Sequence, residues 1–120
     1  MILVDTSVWV DHLRGGNRRL RVLLEQGDVL CHALIIGEIA CGSIRNRAEV
    51  LKLLNDLPRA IVADHDEVLE FLNQRRLYGK GVGWIDLHLL ASAQLSNVSL
   101  WTADGLLRKV ADELGRNSRE

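Results

Sequence analysis

Ile2-Leu3-Val4-Asp5-Thr6-Ser7-Val8-Trp9 places three consecutive apolar residues before a turn of acid and hydroxyl groups. An unbroken apolar triplet, unlike an alternating one, predicts a strand buried on both faces, as in a parallel sheet. Asp5, Thr6 or Ser7 can then cap a helix running through Val8, Trp9 and Leu13 to about Arg14. The same strand-then-helix unit recurs downstream. A short strand over 29–32 leads into a strongly apolar helix from Ala33 that stops near Gly42. Ala60-Ile61-Val62 predicts another strand, followed by Asp64 and Glu67 in capping-box spacing at the head of a helix to about Tyr78. Ser99-Leu100-Trp101 predicts the last strand, before a helix from Asp104 to about Leu114. Further helices are expected over 18–26, 47–56 and 84–95, bounded by Gly27, Pro58 and the loop Gly79-Lys80-Gly81-Val82-Gly83. This alternation predicts an α/β three-layer sandwich, with a short, mostly parallel sheet of four to five strands flanked by helices.

A chain of 120 residues fits one domain, expected over 1–115, with a polar tail at 116–120 that frays. Its 48% apolar and 26% charged composition is that of a globular protein able to form a core without metal or disulfide staples. No apolar run approaches the roughly 18–20 residues of a membrane span. The longest, 33–41, is interrupted by Glu38, and the acid at position 5 is unlike a secretory signal. A cytoplasmic protein with no membrane partner is therefore expected. Cys31 and Cys41 lack CxxC or Cys/His spacing and are expected to be reduced, buried thiols.

Four carboxylates carry the chemistry. Asp5 follows the first strand directly, and Asp104 lies three residues after the end of the last one. Asp86 falls in the first turn of the helix after the glycine loop. In parallel α/β folds functional groups collect at the carboxyl ends of strands. Glu38 stands among Leu34, Ile35, Ile36, Ile39 and Cys41, where burying a charge costs several kcal/mol unless it is paired or bound to metal. Each acid has a plainer reading: Asp86 and Asp104 as helix-start residues, Glu38 as a solvent-facing side chain or a partner of Arg45 or Arg47. Together, without the His and Cys ligands that zinc prefers, they suggest Mg²⁺ or Mn²⁺. Such an ion can neutralise a phosphodiester and acidify a bound water for in-line displacement. Without the ion the acids repel, which favours a proton on one of them.

The net charge of −1 conceals this arrangement, because setting the four acids aside leaves 15 basic against 12 acidic residues. Basic residues cluster at Arg14, Arg18, Arg19 and Arg21, at Arg45 and Arg47, and at Arg75, Arg76 and Lys80. An acidic hole in a basic surround suits a cation and a phosphate chain together, although such clusters can equally be solvated helix faces. His12, His32, His65 and His88 fit packing or surface roles. The Lys80 loop lacks the spacing of a phosphate-binding P-loop and is expected to be a flexible connection.

Residues 1–10, with Asp5-Thr6-Ser7-Val8-Trp9, resemble the opening of PIN-domain proteins, especially the VapC toxins of bacterial and archaeal toxin-antitoxin modules. The resemblance continues through Ile36-Gly37-Glu38-Ile39, the stretch from Gly83-Trp84-Ile85-Asp86 to Ala93, and Leu100-Trp101-Thr102-Ala103-Asp104-Gly105-Leu106-Leu107. It implies an endoribonuclease using Mg²⁺ or Mn²⁺, with Asp5 and Asp86 as main metal ligands and Glu38 and Asp104 completing the first or second shell. Thr6 and Thr102 match hydroxyl positions that orient carboxylates or water, and Trp9 is a packing residue. The resemblance also implies an RNA substrate, a homodimer and a cognate antitoxin whose C-terminal segment crosses the active-site groove. One departure is visible: many relatives have a further terminal strand, for which 116–120 is too polar. Alternatives within reach of the same residues are RNA maturation without a toxin role, a phosphatase, a receiver-like phosphorylation switch and a non-catalytic interaction module. A phosphatase would want an acid at position 7, which is Ser7. A receiver would want an acid beside Asp5, though Asp64 partly meets its second requirement.

Overall fold

β1 (Ile2–Val4) is the central strand of a parallel sheet in the order β2-β1-β3, with β2 at Val29–Leu30 and β3 at Ser99–Trp101. Ile2 pairs with Val29 on one side and Ser99 on the other, and Val4 pairs with Trp101. The computed structural model describes residues 1–118. Seven helices surround the sheet: α1 (Thr6–Gly15), α2 (Arg18–Glu25), α3 (Ala33–Ala40), α4 (Arg47–Asp56), α5 (His65–Gln74), α6 (Trp84–Ser96) and α7 (Gly105–Glu113). Every helix expected from the sequence is present, and the α/β architecture holds.

The sheet is shorter than expected. Ala60-Ile61-Val62 is not a strand. Only Arg59 bridges to Cys31, through Cys31 N–H to the Pro58 carbonyl (2.8 Å) and Ala60 N–H to the Cys31 carbonyl (2.9 Å). Past that bridge the neighbouring chain leaves the sheet, because α3 begins at Ala33, so 61 and 62 have no extended segment beside them. The Ile61 amide instead donates to Ser96 Oγ at 2.8 Å, and the Ile61 and Val62 side chains are 56% and 55% exposed. At the other edge, the Leu100 amide donates to the Arg116 carbonyl and the Ser118 amide to the Leu100 carbonyl. Asn117 thus forms a single parallel bridge with Leu100. The expected polar tail is pinned at 116–118, while 119 and 120 lie outside the described residues. Five segments lie side by side, but the outer two each contribute one bridge rather than a strand.

The core forms where the apolar faces meet the sheet. Leu3, Val4 and Leu100 are buried, as are Leu20 of α2, Ile35 of α3, Leu54 of α4, Val68 of α5 and Leu107 of α7. α6 buries Leu87, Leu89, Leu90, Ala91, Ser92 and Ala93, the pattern of a helix covered on more than one face. His32 is a structural joint within this core: Nδ1 accepts from the Leu34 amide at 3.0 Å, capping α3. Nε2 therefore carries the proton and donates to Ser92 Oγ at 3.0 Å. Burial holds the imidazole below its ordinary pKa, which keeps it neutral for this role. The Asp64–Glu67 capping box forms in both directions, at 2.8 and 3.0 Å. α5 ends at Gln74, earlier than expected, because Arg76 adopts a left-handed conformation and the Leu77 amide folds back on the Leu72 carbonyl. Cys31 is buried, but Cys41 is exposed at the end of α3, contrary to expectation. Among the described residues no helix is long and apolar enough to cross a membrane.

The isolated bridge at Arg59 predicts a contrast in stability. Leu100→Ala should cost about 2–5 kcal/mol, as for a fully buried leucine. Ile61→Ala should change stability by only about 0.5 kcal/mol, and equal shifts in their urea midpoints would place Ile61 in the core after all.

Candidate active site

The β1–β3 ladder builds the centre of the site. Beyond the last paired residue, the Asp5 amide donates to the Trp101 carbonyl at 2.9 Å. This brings the acid after β1 beside the residue after β3. Asp5 is only 7% exposed, and its Oδ2 accepts from Thr102 Oγ1 at 2.8 Å and Ser7 Oγ at 2.7 Å. The same hydroxyls accept in turn, Thr102 Oγ1 from the Asp104 amide (3.1 Å) and Ser7 Oγ from the Ala103 amide (3.0 Å). No hydrogen bond among the described residues reaches Oδ1.

Glu38 occupies the exposed side of α3, contrary to the expectation that its apolar neighbours enclose it. Ile35 and Ile39 take the buried face of that short helix, and Gly37 beside Glu38 has open space around it. Oε1 nevertheless accepts from Thr6 Oγ1 at 2.7 Å, which ties Glu38 to the residue after Asp5. Among the described residues neither Arg45 nor Arg47 pairs with it. Arg47 instead donates twice to the Ala40 carbonyl, at 3.1 and 2.9 Å, covering the end of α3.

Asp104 is exposed and caps α7, with Oδ1 accepting from the Leu106 and Leu107 amides at 2.9 and 3.1 Å. Asp86 is half-buried in the first turn of α6, where Oδ2 accepts from the Gly83 amide at 3.3 Å. Burial pushes its pKa above the ordinary aspartate value. The Gly83 amide opposes that shift, while the charges of Asp5, Asp104 and Glu38 add to it. Asp86 therefore lies within electrostatic reach of the other three acids. Among the described residues, however, no three acidic, histidine or cysteine side chains stand close enough to share one metal ion as they are now turned. The donors are all oxygen, which suits a hard divalent cation that retains part of its water shell.

Ser7 is the residue that sequence analysis passed over. Its signal was present in the hydroxyl two positions after Asp5, but that position was weighed only as a helix cap or as a place for a second acid. The histidines take other roles. His12 Nδ1 accepts from the Asn17 amide at 2.9 Å. His65 and His88 flank Trp84, with ring centroids 5.1 and 5.0 Å away. Trp9 is packed in the core and its Nε1 finds no hydrogen-bond partner among the described residues. Asp64, the acid that a receiver-type site needed after a third strand, is occupied in capping α5.

The family model for the PIN domain matches residues 2–113. The chain belongs to the PIN domain family. Within it, the chain is 47% identical over 116 residues to Ribonuclease VapC32 of Mycobacterium tuberculosis, in strains CDC 1551 / Oshkosh and ATCC 25618 / H37Rv. That alignment covers 96% of this chain and 94% of the relative. The PIN fold is also seen in the crystal structure of FitAcB from Neisseria gonorrhoeae, with a TM-score of 0.64 over 93% of this chain and 94% of that one. At 22% identity, that second likeness is one of fold.

The raised pKa of Asp86 has a measurable consequence. The folded protein holds this proton to a higher pH than the unfolded chain does. Its stabilising contribution is therefore complete below the ordinary aspartate range and is lost as pH rises through the elevated value. Metal-free Asp86→Asn should melt above the parent protein at neutral pH, and the two should converge in acid. A variant that melts lower at neutral pH would show that the Asp86 charge is not under repulsion.

Proposed function

We propose that this chain is a Mg²⁺- or Mn²⁺-dependent endoribonuclease acting as the toxin of a toxin-antitoxin pair. The observation that carries the proposal is the hydrogen-bonded cluster at the carboxyl ends of β1 and β3, where Thr102 joins Asp5 to the Asp104 amide and Thr6, next to Asp5, holds Glu38, with Asp86 near enough to feel their charges. The 47% identity to a protein named a ribonuclease supports the substrate class. The nuclease domain is assigned to 1–115.

Asp5 and Asp86 would hold the cation, and the Asp5 oxygen that its two hydroxyl partners leave uncommitted is available for it. Glu38 and Asp104 complete the shell directly or through water, which accommodates their present separation. The bound cation neutralises charge on the phosphodiester and lowers the pKa of water. Thr102 and Ser7 fix the Asp5 carboxylate, and Thr6 fixes Glu38, so that neither acid must reorganise as the phosphate arrives. Glu38 keeps Oε2 free and is exposed, which suits it to accept a proton from the attacking water. Asp104 spends one oxygen on α7 and has the other for a water.

A cognate antitoxin would inhibit by laying its C-terminal segment across the groove, with a basic side chain among the acids. A homodimer and a cytoplasmic setting belong to the same proposal.

With Mn²⁺ or Mg²⁺ the protein should cleave RNA, and EDTA should stop it. Asp5→Asn and Asp86→Asn should lower the rate by roughly 10²-fold or more and weaken Mn²⁺ binding in calorimetry, with the fold retained. Thr102→Val, which removes one partner of Asp5, should cost about 10- to 100-fold. Equal cleavage by Asp5→Asn, Glu38→Gln, Asp86→Asn and Asp104→Asn preparations would assign the activity to a contaminant.

A further inference from the structure

A concavity of about 780 Å³ opens beside the acidic site, between the start of α2, the outer face of α7 and the pinned segment 116–118. Thr102 is part of its wall and also donates to Asp5, so the concavity and the candidate metal site share a residue. Arg19, Arg108 and Lys109 line it, against a single acid, Asp112. Arg108 and Lys109 are both exposed, on successive positions of α7, and neither takes part in an ion pair among the described residues. Arg19 is differently built: its guanidinium lies 4.2 Å from the centre of the Trp101 ring and donates to Ser118 Oγ at 2.8 Å. Stacking and hydrogen bonding hold that planar cation in one orientation, parallel in function to the aromatic platforms on which bases stack.

We infer that this concavity is the track for the RNA strand leaving the scissile phosphodiester, with Arg108 and Lys109 on successive phosphates and the Arg19–Trp101 stack presenting a flat surface to a base. The inference rests on the nuclease proposal and gives it a direction, from Asp5 past Thr102 and along α7. Three observations favour a nucleic acid over an acidic polypeptide. The basic groove shares Thr102 with the acidic site, its Arg108 and Lys109 are exposed on successive positions of α7, and Arg19 lies over the Trp101 ring as a planar surface beside them. Arg18, beside Arg19 at the start of α2, adds a further cation beyond the groove.

The test uses a fluorescein-labelled, twelve-nucleotide, single-stranded RNA of mixed sequence, with binding measured by anisotropy in EDTA as KCl is varied. Each phosphate contact on a single strand contributes roughly 0.7 to the slope of log affinity against log salt. Arg108→Ala/Lys109→Ala should therefore flatten that slope by about 1.4 and weaken binding by about tenfold or more at low salt. In Mn²⁺ the double variant should raise KM for the same RNA with kcat and Mn²⁺ affinity unchanged. Both side chains are exposed, so the melting temperature should not move. Unchanged slope and KM would overturn the inference while leaving the nuclease proposal intact. Binding of a polyglutamate peptide that depends on Arg108 and Lys109, with RNA binding indifferent to them, would assign the groove to an acidic protein segment and also overturn it. If the wild type binds RNA through these residues but cleaves none in Mn²⁺, the nuclease proposal falls and the exit-track assignment falls with it, leaving an RNA-binding groove.

Discussion

The amide of Asp5 donates to the carbonyl of Trp101, and the site depends on this one backbone bond beyond the paired strands. It extends the β1–β3 ladder by one rung at the point where both chains turn away into helices. Parallel pairing places the carboxyl ends of both strands at the same edge. Asp5 and Thr102 therefore become neighbours although 97 residues separate them. The Asp5 carboxylate sits almost out of solvent, where an unsatisfied charge would be costly, and the two hydroxyls are its compensation. Their acceptor sides take the amides of Ala103 and Asp104, so the turn after β3 and the carboxylate of β1 are set by one network.

Burial, with the charges of the three other acids adding to it, raises the pKa of Asp86, so the ionised cluster is a liability for the metal-free fold. The protein confines that liability. Glu38 and Asp104 are exposed, Asp86 is only half-buried, and Asp5 alone is deeply placed and doubly hydrogen-bonded. Two of the acids also have local structural work, Asp104 capping α7 and Asp86 receiving the Gly83 amide at the head of α6. Helix capping and cation binding are compatible because a carboxylate has two oxygens and a cap uses one. The plain and the chemical readings of these aspartates are thus both available to the same side chain.

The strands and helices were legible where a local rule applied: the unbroken apolar triplet of β1, the Leu100-Trp101 pair of β3, the Asp64–Glu67 capping box, and the apolar run of α6. Ala60-Ile61-Val62 misled because an apolar β-branched run reports a preference for extended backbone, whereas a strand also needs a neighbour with free rungs. Past the Cys31 bridge the neighbouring chain turns into α3, which left 61 and 62 without one. The tail misled in the opposite direction. Its polarity predicted fraying, yet main-chain bonds to Leu100 and the Arg19–Ser118 contact hold it, and neither depends on side-chain hydropathy. Glu38 misled because its sequence neighbours are apolar, while a one-sided helix of eight residues buries only part of them.

From the sequence alone came the α/β alternation, the position of every helix, the family resemblance and the identity of the acids, since these are encoded in periodicity, capping chemistry and residue type at short range. Tertiary structure decided which acid is buried, which hydroxyls serve it, where the sheet stops, and that a basic groove shares Thr102 with the acidic site. Those outcomes depend on the register of β1 against β3 and on the direction in which each helix leaves the sheet. Both are set by contacts between residues far apart in the chain, which no local pattern records.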